Sequence, residues 1–258
     1  MSFEASLYAS SLQLPLRAAP VALRGPLTQL EAQILADKLA NDSQKSIYSA
    51  LISVADALRG LEQGFSTWPA VKLYYTTFYA IRALLALEDI CLYYVSNKEY
   101  WIECIASSFP ARAPNRVRGS THKFVFAVFE QRFPNSPLLS QTIDGEGPFD
   151  WLMLKREEAN YISARFIEPQ ENQLFKFVRK HGIRRLCLEY LKDDSFAFDP
   201  DHAILSYPMF LLRHIRDLGV RGRTCVLDEA EDEKYERYFA DQFGPLQPLI
   251  DLKRRILL

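Results

Sequence analysis

The chain has 258 residues, enough for one large domain or two small ones. Its 48% hydrophobic and 24% charged content are ordinary for a globular protein, and a formal net charge of −1 excludes any overall attraction to nucleic acid or to an anionic membrane surface, leaving only local basic patches. No stretch offers the about 18 uncharged apolar residues of a membrane span. Nothing in MSFEASLYASSLQLPLR reads as a secretory signal. The four cysteines (Cys91, Cys104, Cys187, Cys225) have neither C-x-x-C nor zinc-ligand spacing, so they read as reduced thiols in a cytoplasmic protein.

Residues 1–26 mix polar and apolar positions around Pro15, Pro20 and Pro26, with a hint of alternation at Phe3, Ala5 and Leu7. They read as an N-terminal arm: a tail lying along the surface, or else an extended arm or edge strand. A first long helix is expected over Leu27–Ala40, with Leu30, Ile34, Leu35 and Leu39 as its stripe. Asn41-Asp42-Ser43 should end it and cap a second helix over Gln44–Glu62. Trp68–Asp89 is the most apolar helix of the chain. Pro69 suits its first turn, Ser66 and Thr67 can cap it, and Val71, Tyr74, Tyr75, Phe78, Ile81, Leu84 and Leu85 recur at helical steps. Such a helix should be buried on more than one side.

After Asp89 the period changes. ICLYYV (90–95) and YWIECI (100–105) read as the strands of a small hairpin closed by Ser96–Glu99, which would set Cys91 opposite Cys104. The competing assignment lets the preceding helix run on through Tyr94. A loop follows over 107–119, then a helix beginning at Ser120 or Thr121 and ending before Pro134. A short helical turn is expected over Pro137–Ile143 and a tight turn at DGEGP (144–148). Asp150 should cap a helix carrying Trp151, Leu154, Arg156 and Ala159, with 161–169 irregular. Helices are then expected over Asn172–Lys192, Tyr207–Leu218 and Asp228–Gln242, with a last short one over Pro245–Leu258. Gly182 would be tolerated inside the first of these at some cost.

Chemistry has few candidates. There is no glycine-rich phosphate loop, no G-x-S-x-G and no H-E-x-x-H. His202, beside Asp199 and Asp201, reads as a helix entry rather than a metal ligand. One constellation stands out. Arg112, Arg116 and Arg118 lie in a loop that leads to Ser120, Thr121 and His122 at a helix start. Helix N-terminal amides favour anions, arginines add bidentate phosphate contacts, and a histidine can move a proton near neutral pH. That combination can cut RNA without a metal, by attack of the 2′-hydroxyl; the alternative is a solvated basic loop with a capping histidine. Arg156, Asn160 and Tyr161 read as a structural network within the bundle.

The succession AVKLYYTTFYAIRALLALED, GSTHKFVFAVFEQRF and LKREEANY resembles the HEPN superfamily (higher eukaryotes and prokaryotes nucleotide-binding). The resemblance rests on Tyr75, Tyr79 and Ala83 in the long helix, Gly119-Ser120-Thr121-His122, and Arg156 with Ala159-Asn160-Tyr161, over roughly residues 45–168. It implies a mainly α protein: a helical up-and-down bundle over 27–169, with a small β-hairpin insertion near 90–105. Residues 170–258 would add helices packed on that core.

It also implies a place in a prokaryotic antiphage or toxin–antitoxin system. The family's ribonuclease signature, an Arg followed by four to six residues and a His, falls on Arg116 and His122, with five residues between. Arg116 would hold the scissile phosphate, His122 would act as acid/base, and Arg112, Arg118, Ser120 and Thr121 would bind substrate. No cofactor or metal is expected. A homodimer and RNA are the implied partners. The alternative is a catalytically silent dimerisation or scaffold subunit that binds a larger defence component.

Overall fold

A computed structural model describes residues 3–12, 26–95, 97–114, 121–162, 173–192, 198–218, 229–241 and 244–257. They are mainly helical, with a small three-stranded antiparallel sheet. None of the described helices is long and apolar enough to cross a membrane. The chain divides into two compact units: one holds residues 1–46 and 81–134, the other 47–80 and 135–258. Two helices contribute to both.

The first of these, α2, runs unbroken from Gln29 to Glu62. It starts at a reciprocal cap: the Glu31 carboxylate accepts from the Thr28 N–H at 2.8 Å, and the Thr28 hydroxyl accepts from the Glu31 N–H at 3.2 Å. The break expected at Asn41-Asp42-Ser43 does not occur. Ser43 and Ser46 turn their hydroxyls onto the Ala40 and Asp42 carbonyls of their own helix. Asp42 caps a different helix. Its carboxylate accepts the Glu4 and Ala5 N–H groups at 3.0 and 2.9 Å, at the start of α1 (Glu4–Ser11). The expected arm is therefore helical over its described part.

α3 spans Thr67–Leu87, within two residues of expectation. Leu73, Tyr74, Thr76, Thr77, Ala80, Ile81 and Ala83 are all buried, so it is enclosed around most of its circumference. Asp89, at φ 58°, turns the chain into β1 (Ile90–Val95). β1 pairs with β2 (Lys98–Glu103), and β2 with the short β3 (Ala111–Arg112). The hairpin forms, but in another register. Val95 faces Lys98, so Cys91 faces Ile102 and not Cys104, and neither cysteine is in a disulfide. The loop shortens to two residues, with Asn97 in the left-handed region at φ 61°. Two-residue loops of that kind match the twist of the strands better than a four-residue one. Because the slip is two residues, every side chain keeps the face it was expected to have.

In the first unit, one sheet face carries Cys91, Tyr93, Tyr100 and Ile102. It packs with Ala5 of α1 and with Leu35 and Leu39 of α2. Tyr93 and Tyr100 are cross-strand partners with ring centres 5.8 Å apart. The other face meets α4 (Thr121–Arg132). Tyr94 lies edge-on to Phe124 at 5.8 Å, and Arg132 pairs with Glu103 beside the Trp101 ring.

The second unit continues with a turn of 3-10 helix at Pro137–Leu139 and a tight turn at Ile143–Glu146. α5 (Pro148–Glu157) follows, with Gly147 and not Asp150 at its cap position and Pro148 in its first turn. A π-helical turn (Glu158–Ile162) extends it where irregular chain was expected to begin. The single helix expected over Asn172–Lys192 is broken. A 3-10 turn (Gln173–Phe175) leads into α6 (Lys176–His181), and Gly182 at φ 86° separates that from α7 (Ile183–Tyr190). A conformation that only glycine adopts readily ends the helix there.

α8 begins at Ala203, four residues before the expected Tyr207, because the Asp199 carbonyl accepts from the His202 and Ala203 N–H groups. Pro208 is thus interior to α8, which runs to Leu218 and is buried at Ile204, Leu205, Tyr207, Met209, Leu211 and Leu212. α9 (Glu229–Tyr238), a two-residue pairing of β4 (Ala240–Asp241) with β5 (Gly244–Pro245), and α10 (Gln247–Leu257) close the unit.

Candidate functional site

The helix expected after the arginine loop forms where its pattern places it. α4 buries Phe124, Val125, Phe126, Val128 and Phe129, and its first residue is Thr121. That start is held by the sheet. The Tyr94 hydroxyl of β1 donates to Thr121 Oγ1 at 3.1 Å, so the first turn of α4 is fixed against the β1–β2 hairpin. His122 follows in that first turn and is half-buried. His122 therefore belongs to the turn whose backbone N–H groups have no partner within the helix, at the end of the helix that attracts anions.

Arg112 lies elsewhere. It pairs with Tyr100 in the β2–β3 ladder, and its guanidinium is 5.8 Å from the Tyr100 ring centre. Tyr100 and Tyr93 occupy the sheet face that α1 and α2 cover, whereas Tyr94 and Thr121 meet on the opposite face. Arg112 and the start of α4 are thus on opposite faces of one sheet. Arg116, Arg118 and Ser120 lie outside the described residues. Of the expected constellation, the structure joins Thr121 and His122 in one turn and sets Arg112 apart from them.

Arg156 extends over the buried Tyr74 ring at 5.0 Å from its centre, and its Nη2 donates to Glu157 at 3.3 Å. Burial pushes the Tyr74 hydroxyl well above its ordinary pKa, and the Arg156 charge opposes that shift. Asn160 is half-buried within the π turn, and the side chain of Tyr161 is outside the description. Arg156 therefore joins α5 to α3 through an aromatic face.

His202 stands at the entry to α8, with Nδ1 2.9 Å from the Tyr190 hydroxyl. Burial holds its imidazole below the ordinary value, against the pull of Asp199 and Asp201. Among the described residues no three His, Cys, Asp or Glu side chains are grouped to hold a metal ion.

Sequence reasoning missed Tyr94 as a support for the site. Its signal was weak: an aromatic at the last but one position of a strand, on the face opposite the main cluster. No family model, curated protein or solved structure matches the chain.

Proposed function

We propose that the protein is a HEPN-like member of a prokaryotic antiphage or toxin-type system that cuts RNA without a metal. The observation that carries this reading is the position of His122. It lies in the first turn of α4, with five residues between it and Arg116, where helix amides and an arginine-bearing loop can share one phosphate. Arg116 holds a non-bridging oxygen of the scissile phosphate. The 2′-hydroxyl attacks phosphorus, the 5′-oxygen leaves, and a cyclic phosphate remains. His122 transfers the proton, taking it from the nucleophile or giving it to the leaving oxygen. Arg118, Ser120 and Thr121 add contacts to neighbouring phosphates, while Arg112, on the other sheet face, stands apart from them. Two copies in a dimer supply a composite site.

Cleavage of mixed RNA in chelator tests this, with wild type beside Arg116→Ala and His122→Ala. Loss of cleavage in both variants supports the reading. Cleavage unaffected by either removes these residues from the chemistry. The separation of Arg112 from Thr121 favours a second reading, a catalytically silent dimerisation or scaffold subunit. Intact RNA in every sample, with a dimer by light scattering and a stable complex with a co-purifying host protein, would select it.

A further inference from the structure

Between Lys176 and Arg185 the chain carries six basic residues, counting His181, and no acidic one. Lys176 and Lys180 lie one turn apart on one face of α6, and both are exposed. Val178 takes the buried side of that helix. Neither lysine forms an ion pair among the described residues. Glu189, the first acidic residue after the run, is already held by Arg185 at 2.8 Å.

A second observation is independent of this charge. Arg179, between the two lysines on α6, donates to the Gly64 and Phe65 carbonyls and to the Ser66 hydroxyl. It thereby fixes the turn between α2 and α3 beside α6. That turn presents two aromatic rings to water: Phe65 is 49% and Trp68 54% exposed, while Ser66 and Thr67 between them are buried. One arginine side chain spans the two elements, so the rings and the lysines border one surface. Glu62, the last residue of α2, is the one acidic group of the turn.

The mixture selects among partners. Lysine is depleted from protein–protein interfaces, which argues against a protein groove. Membrane-surface binding uses a broad apolar helix face, whereas no aliphatic side chain of this turn or of α6 is exposed. Paired ammonium groups beside flat, exposed rings match a polyanion whose bases are free to stack. We propose that this surface of the second unit binds single-stranded nucleic acid, with phosphates on Lys176 and Lys180 and bases stacked on Phe65 and Trp68. The inference holds whether or not His122 cuts RNA.

The probe is a labelled 2′-O-methyl oligoadenylate of about 12 residues, within the usual site size and without a 2′-hydroxyl to attack. Its binding to the full chain is followed by fluorescence anisotropy. Saturable binding is expected. Phe65→Ala and Trp68→Ala should each weaken it by at least about fivefold, while Trp68→Phe retains a stacking ring and should lose less. Lys176→Gln with Lys180→Gln should reduce the slope of log affinity against log salt by about 1.4. Melting midpoints of the variants separate lost contacts from lost folding. Unlabelled competitors are compared at equal negative charge: the same duplex-paired strand, poly-glutamate and phosphatidylserine vesicles should each displace the probe less well than the single strand. An oligodeoxyadenylate of equal length, ranked against the 2′-O-methyl strand, separates DNA from RNA as the source. Absence of saturable binding overturns the proposal. So does displacement by duplex, poly-glutamate or vesicles as effective as that by the single strand, or wild-type affinity in both folded alanine variants.

Discussion

Asp42→Ala should release α1 from the first unit. Asp42 is 3% exposed, and its carboxylate accepts two backbone N–H groups, from Glu4 at 3.0 Å and Ala5 at 2.9 Å. A hydrogen bond to an ionised acceptor contributes about 1.5–3 kcal/mol, so the pair has a gross value of about 3–6 kcal/mol. Burial works against it. Desolvation raises the Asp42 carboxyl above its ordinary pKa despite both amides and the nearby Lys45. Part of the gross gain is therefore spent on keeping the charge out of water. Lost caps cost about 0.5–2 kcal/mol in measured cases, and a net loss of about 2 kcal/mol is expected here.

An eight-residue helix does not persist alone, so the amides of α1 should exchange together once it undocks. A loss of about 2 kcal/mol corresponds to exchange about thirtyfold faster over Glu4–Ser11. Asp42→Asn keeps one acceptor and should fall between the two. Lys45→Ala removes an exposed partner of Glu4 and a charge near Asp42, and should change exchange by less than about fivefold. Exchange in Asp42→Ala within a factor of two of wild type would refute the reasoning.

Two further outcomes follow from the second unit. Gly60→Ala gains about 1 kcal/mol of helix propensity, but its Cβ would lie 2.8 Å from Cγ of Pro69. That ring cannot swing aside as a long side chain would, so overpacking of about 1–3 kcal/mol should prevail. Urea denaturation should show net destabilisation, and a midpoint at or above wild type would contradict it. His202 has a folded pKa below its ordinary value of 6.5. The folded state favours the neutral ring, whose Nδ1 can accept the Tyr190 hydroxyl proton. Its contribution is complete above pH 6.5 and is lost as pH falls through the folded value. The His202 ring resonances should titrate below 6.5, and a midpoint at or above that value would overturn the assignment.

The elements that could be read from the chain are those whose partners lie on one face or in one turn. α3 is one: its apolar steps and the Ser66-Thr67-Trp68-Pro69 entry place it to within two residues. The hairpin is another, since β-branched and aromatic runs located both strands. Its register was not legible, because the twist of the strands selects the turn, and Asn97 taking a positive φ is a property of the paired ladder. Asn41-Asp42-Ser43 misled for a different reason. Asp42 is a cap, but for amides 37 and 38 positions earlier, a pairing that no local pattern announces. The reciprocal cap at Thr28 and Glu31 was there to be read and went unused. At the site, spacing placed His122 at a helix start. Placing Arg112 required knowledge of the third strand, which is only two residues long.

A clasp from Arg179 of α6 on the turn between α2 and α3 has a bearing on how the protein is made. One guanidinium nitrogen of Arg179 donates to the carbonyls of Gly64 and Phe65 and to the Ser66 hydroxyl, at 2.8, 3.2 and 2.8 Å. The acceptors precede the donor by 113–115 positions. At about 5–20 residues per second, translation exposes that turn roughly 6–23 s before Arg179 is added. During that interval α2 and α3 are both complete as sequence, yet the turn between them must be satisfied by water. The ribosome therefore releases this helical hairpin without its fastening, and a binder of nascent chains has seconds in which to act on it.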